Sequence, residues 1–171
     1  MEKETTGQEP TEVEMRNIIE EARVILPGVQ ALFGFQVIAV FNDRFEELAS
    51  YAKACHVTGL IMVVLAIGMV MTPAVYYRTC HGHTTRPMVR LSSTFIRGAL
   101  IPLALGLALD MFVVINLATR GAPDSLAMSI AIAIAALIML LGFWFVLPRR
   151  AHKALRQASA RGTSDIEATS S

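Results

Sequence analysis

From Thr94 to Leu117 the chain reads TFIRGALIPLALGLALDMFVVINL. A helix of about 20 residues, rising about 1.5 Å per residue, crosses the roughly 30 Å hydrocarbon core of a bilayer. One residue in the run is out of place. Asp110 lies about two helical turns from its C-terminal end, where a carboxylate costs about 2.5–3.5 kcal/mol on insertion scales. It must therefore face protein or water. Gly98, Pro102, Gly106 and Asp110 are spaced four apart, a slowly drifting stripe of small or polar residues on one side of the helix. Small residues at that spacing admit a second helix closely, so the carboxylate is expected inside a helix bundle.

The rest of the chain agrees. Of the 171 residues 54% are hydrophobic, and the mean hydropathy is +0.52. These values are high for a soluble domain and ordinary for a small membrane protein. The 17% charged residues gather at the ends and in the loops, and a net charge of +1 selects no class of partner. Cys55 and Cys80 fall near opposite ends of one expected span, so they cannot pair within a chain, and two cysteines make no disulfide framework. The first apolar run follows a polar, acidic segment and has no small-residue cleavage site after it, so no secretory signal peptide is expected.

In chain order, residues 1–10 are polar and read as a disordered tail. Thr11 with Glu14 resembles a capping box. It opens an amphipathic surface helix carrying Val13, Met15, Ile18, Ile19, Ala22 and Ile25. The first span is read over 24–41, with Pro27 and Gly28 as a kink between surface helix and span. Gln30 and Gln36 in it can hydrogen-bond inside a bundle. Residues 42–54 are too polar to insert and suggest a short interfacial helix capped by Asp43, with Tyr51 at the headgroups. The second span is read over 55–77, the third over 95–117 and the fourth over 125–147. The loop before the third is basic, and Gly121 and Pro123 turn the chain before the fourth. In the fourth, Ala127, Ala131 and Ala135 form another small-residue stripe, Phe143, Trp144 and Phe145 mark the exit, and Pro148 ends the helix. Residues 149–171 read as a basic, mostly disordered tail. The domain division is thus 1–10, 11–148 and 149–171.

Charge sets the expected orientation. Lys3, Arg16, Arg23, Arg78, Arg86, Arg90, Arg97, Arg149, Arg150, Lys153, Arg156 and Arg161 fall on one side of a four-span protein, 12 of the 15 Lys and Arg, against Arg44, Lys53 and Arg120 on the other. The positive-inside rule then puts both termini in the cytoplasm of a multi-pass plasma-membrane protein.

Three segments carry a family likeness: EEARVILPGVQALFGFQ at 20–36, FNDRF at 41–45 and TPAVYYR at 72–78. Together they resemble a bacterial domain-of-unknown-function family of small four-span integral membrane proteins. Its most specific residues here are Arg23, Leu26, Pro27, Gly28, Gln30, Arg44 and Phe45, and the likeness extends over about 17–148. Tyr77 stands where relatives are expected to carry a His. The likeness implies a fold and a membrane location and no activity.

Asp110 is the sharpest candidate site, either a proton or cation site in the bundle or a structural carboxyl. Depth counting sets Gln36 level with it and leaves His56 and Thr58 nearer the outer surface. Arg23 with Glu20 and Glu21 reads as an ion-paired helix end, and Arg44 as an interfacial anchor or an external anion contact. His81 and His83 beside Cys80, even with His152, fall short of a structural zinc set, so no metal is expected. The basic tail suits anionic headgroups rather than nucleic acid. No nucleophile-plus-base motif and no phosphate loop is present, so neither an enzyme nor a cofactor is expected.

These readings converge on an all-α integral membrane protein, a four-transmembrane-helix bundle with short interfacial amphipathic helices. The favoured function is that of a non-enzymatic membrane component acting through helix association, with the lipid bilayer and a second copy or another membrane protein as partners. The alternative is a small proton- or cation-coupled transporter or channel subunit centred on Asp110, with Gln36 and Gln30 as further candidates. Arg23, Pro27, Gly28, Arg44, Gly98 and Gly106 are read as structural or interfacial.

Overall fold

The computed structural model describes residues 5–80 and 85–150, with side chains from Thr11 onward. The described chain is helical: α1 (Thr5–Ala39), α2 (Asp43–Glu46), α3 (Ser50–Thr79), α4 (Arg86–Ala118) and α5 (Ser125–Leu141). A π-helical turn over Gly142–Val146 follows α5, and helix continues to Arg150. Among the described residues, four helices are long and apolar enough to cross a membrane, Thr11–Ala39, Ser50–Thr79, Arg86–Ala118 and Ser125–Arg150. The all-α, four-span expectation therefore holds.

Several boundaries differ from the sequence reading. The surface helix and the first span are one helix, α1, and Thr11 lies inside it rather than at its cap. Pro27 and Gly28 do not end the helix: the α1 stripe that buries Met15, Ile18, Ala22 and Val29 continues past them in one phase. The interfacial helix over 42–54 shrinks to the four residues of α2. Its cap is Asn42, not Asp43: the Asn42 Oδ1 accepts the Arg44 backbone N–H at 3.0 Å. From Ser50 on, including Tyr51, the segment joins α3. Pro148 does not end the last helix. It has no N–H to offer the Trp144 carbonyl, and the helix has already widened there, with the Leu147 N–H bonding to Gly142. Residues 1–4, the His81–Thr84 segment with His81 and His83, and 151–171 with His152 and most of the basic tail lie outside the described residues.

Among the described residues, three apolar clusters are stacked along the bundle. One joins Met15, Ile18 and Ala22 of α1 to Val70 of α3 and Met88, Val89, Ile96 and Ala99 of α4. The middle one gathers Val29, Val63, Ala66 and Leu103, with Trp144 packed against them. Trp144 thus serves the core as well as the span's exit. The third holds Leu48, Ala52, Phe112 and Val113 beside the α2 segment.

The α3–α4 contact is the most extensive in the bundle, and the stripe noted above lies within it. A Cβ on Gly106 would meet Val63 Cγ2 at 2.9 Å and the Gly59 carbonyl at 3.1 Å. Only hydrogen at both positions lets the backbones approach this far. Pro102 and Gly106 are buried, and Gly98 faces the end of Met69. On α5 the inward residues are Ser129, fully buried, and Ala133, while Ala127, Ala131 and Ala135 are exposed. At the end of the bundle nearest α2, Gly121 turns the chain at φ +96, and Arg120 pairs with Glu47 at 2.8 Å.

Candidate functional site

Three helices each bring one polar side chain to a single point. The Gln36 Nε2 of α1 donates to Asp110 Oδ2 of α4. Asp110 Oδ1 faces His56 Nδ1 of α3 at 3.5 Å. The other ring nitrogen of His56, Nε2, donates to the Gln36 backbone carbonyl at 3.0 Å. The three residues therefore form a closed triangle, with Gln36 and His56 buried and Asp110 partly so.

Local backbone explains why that carbonyl is free. The end of α1 tightens, with Val40 bonding to Val37, Phe41 to Ile38 and Asn42 to Ala39, each three residues back. A regular α-helical turn would have given Val40 N–H to the Gln36 carbonyl instead. His56 fills the vacancy and ties α3 to the end of α1. The glycine crossing places the carboxylate. A Cβ on Gly59 would lie 3.3 Å from Asp110 Oδ1 and 3.3 Å from the Gly106 carbonyl. Because Gly59 has none, Asp110, one turn beyond Gly106, reaches the surface of α3.

A carbonyl can only accept, so His56 Nε2 carries hydrogen, while Nδ1 faces the carboxylate without a hydrogen bond between them. Among the described residues, Asp110 Oδ1 and Gln36 Oε1 are buried acceptors without a hydrogen-bond donor.

The triangle forms the polar patch of a cavity of about 380 Å³. Much of the remaining wall is apolar: Leu32 and Phe35 of α1, Phe45 of α2, Leu48, and Val114 and Leu117 of α4. The Phe45 ring stands edge-on to the His56 ring, with centroids 5.2 Å apart. Arg44 and Asn42 also line the space. Arg44 is exposed, and no ion pair involves it among the described residues.

Of the residues singled out from sequence, Asp110 and Gln36 meet as depth counting suggested. Gln30 does not join them. It is exposed, because six residues turn a helix by about 600°, placing it about 120° from Gln36. Arg23, Pro27 and Gly28 are exposed on α1, and among the described residues no ion pair joins Arg23 to Glu20 or Glu21. Gly98 and Gly106 are used inside the bundle. Sequence reasoning missed His56 as a partner. Counting from Cys55 placed it at the membrane edge, but α3 begins at Ser50, so His56 is more than a turn inside. A signal was present: His56 is in phase with Ala52, Gly59, Val63 and Ala66, all buried. Thr58, off that phase, only bonds back to Ala54 at 2.8 Å.

No curated protein and no solved structure matches the chain. A family model described as a family of unknown function, DUF6328, matches residues 4–148, a range that takes in α1 to α5 and all three residues of the triangle. Four apolar helices around one polar triangle are thus what the matched region contains, and the chain belongs to this family of unknown function, DUF6328.

Proposed function

We propose that the protein is a small proton-coupled membrane carrier or channel subunit, and that the His56–Asp110 pair is its proton-loading site. One observation carries the reading. An imidazole and a carboxylate from different helices are held 3.5 Å apart inside the bundle, and both line a cavity. Ionisable groups inside a membrane bundle are costly and mark ion or proton pathways. No bond-making chemistry is called for, so the protein acts without enzymatic turnover. The charge asymmetry supports a plasma-membrane location with cytoplasmic termini, and the cavity then opens toward the outer face.

Association belongs to the same reading. The exposed Ala127, Ala131 and Ala135 give α5 a surface on which a second copy can pack, and four helices alone leave little room for a continuous polar path. The test is proton flux in proteoliposomes carrying a trapped pH-sensitive dye, under an imposed pH gradient and potential. Flux should exceed that of empty vesicles and fall to their level in Asp110→Asn. Equal flux in the variant and the wild type would overturn the proposal.

A further inference from the structure

We infer that the cavity binds a lipophilic carboxylate, with the anion at Arg44 and Asn42 and the apolar body against the walls contributed by α1 and α4. The inference rests on the proton-loading reading above for the role of the cavity, and adds the class of ligand that enters it.

The two ends of the cavity differ. Gln36 and His56 are buried, and with Asp110 they are engaged with one another: Gln36 Nε2 donates to Asp110 Oδ2, and His56 Nε2 donates to the Gln36 backbone carbonyl. Arg44 and Asn42 are exposed and line the same space, so they stand where it meets solvent. Both offer donors there. The Arg44 guanidinium has no hydrogen bond and no ion pair among the described residues. Asn42 is oriented by its own backbone: its Oδ1 accepts the Arg44 N–H at 3.0 Å, which leaves the Nδ2 hydrogens unused. A guanidinium with unused N–H groups matches a carboxylate bidentately, and the amide beside it adds a further donor. Nearby acidic groups do not take this place. Glu47 is paired with Arg120 at 2.8 Å, and Asp43 and Glu46 do not line the cavity. Asp110 is the one carboxylate on its wall among the described residues, and its Oδ1 is buried.

The walls select the rest of the molecule. About 380 Å³ lined by Leu32, Phe35, Phe45, Leu48, Val114 and Leu117 lies at the low end of small-molecule sites. It has room for one compact apolar body rather than the chains of a two-chain phospholipid. Phe35 and Val114 are 72% and 59% exposed on two spanning helices, where their outer surface meets lipid, so a lipophilic molecule reaches the cavity from the bilayer. Arg44 is the one permanently charged cation on the wall, which suits a single negative charge.

The experiment uses the full chain purified in dodecyl maltoside, with 1-naphthaleneacetate as probe and 2-(1-naphthyl)ethanol as its uncharged counterpart. Calorimetry, with protein-free micelles as the blank, reads the affinity. The acid should bind about tenfold or more tighter than the alcohol, a difference of about 1.4 kcal/mol. Arg44→Gln should weaken the acid about tenfold or more and leave the alcohol unchanged. Arg44 is exposed, so this variant keeps its fold, which its melting temperature checks. Ala39→Trp, which adds bulk at an exposed position of the lining, should weaken acid and alcohol alike. Equal affinity for the two probes, or acid binding unchanged in Arg44→Gln, overturns the inference. Acid binding unchanged in Ala39→Trp also overturns it, since the acid then lies outside the cavity. If Arg44-dependent binding is seen only with phosphatidylglycerol in mixed micelles, the rim holds lipid headgroups and the inference falls. If no acid binds while Asp110-dependent proton flux persists in proteoliposomes, the ligand class is wrong and the proton-loading reading stands. If the acid binds as expected while flux is absent, the ligand class stands and the proton-loading reading falls.

Discussion

At the scale of single residues, His56 holds the site together. It closes the α1 terminus through one nitrogen and meets Asp110 through the other. Removing it leaves the Gln36 carbonyl without its partner and the carboxylate without the ring that faces it. His56→Ala is therefore expected to destabilise the protein by about 1–3 kcal/mol. The penalty should not add to that of Asp110→Asn. In a double-mutant cycle read by thermal unfolding in detergent, a coupling of about 1 kcal/mol or more is expected for groups in one hydrogen-bonded network. Strict additivity would mean that the two side chains do not act as a pair. The exposed Arg120–Glu47 bridge makes a useful contrast, since pairs of that kind contribute only about 0–1 kcal/mol.

At the scale of elements, the α3–α4 crossing decides where the carboxylate sits. Its glycines are not equivalent. A methyl on Gly106 would meet the branched Val63 side chain at 2.9 Å and the Gly59 carbonyl at 3.1 Å, whereas a methyl on Gly98 would meet only the flexible Met69 Cε at 2.8 Å. Gly106→Ala should cost about 1–3 kcal/mol through overpacking. Gly98→Ala should cost less than about 1 kcal/mol, since Met69 can swing aside and alanine is the better helix former. Melting temperatures of the two variants check the order. The sequence showed both glycines on one stripe, but it could not rank them, because the ranking depends on which side chain of α3 lies opposite.

For the whole molecule, the question is what covers α5. It is the least buried of the four spanning helices. Its inner face is Ser129 and Ala133, while Ala127, Ala131 and Ala135 look outward. With Cys55 and Cys80 replaced, Ala131→Cys is expected to form disulfide-linked dimers in membranes under mild oxidation, and Ser129→Cys is not. Cross-linking from position 129 alone would reverse the assignment of the two faces. The two stripes are only two residues apart in sequence and similar in chemistry, so the four-residue spacing that picks out Ala127, Ala131 and Ala135 does not tell inner face from outer.

Apolar runs long enough to span a bilayer, and a carboxylate that lipid would not tolerate, determined the four-helix membrane architecture and marked Asp110 from the sequence alone. Both follow from local composition, since bilayer thickness and the cost of burying charge apply wherever the helices happen to pack. Gln36 came within reach by depth counting, because depth is also a one-dimensional quantity. The partnership of His56 was different. It depends on α3 starting at Ser50 rather than Cys55, on the tightened end of α1 that frees a carbonyl, and on two glycines that bring α4 close enough for Asp110 to meet the ring. Each of these is a relation between helices, set by how side chains from distant parts of the chain pack together, and only the tertiary structure decided it.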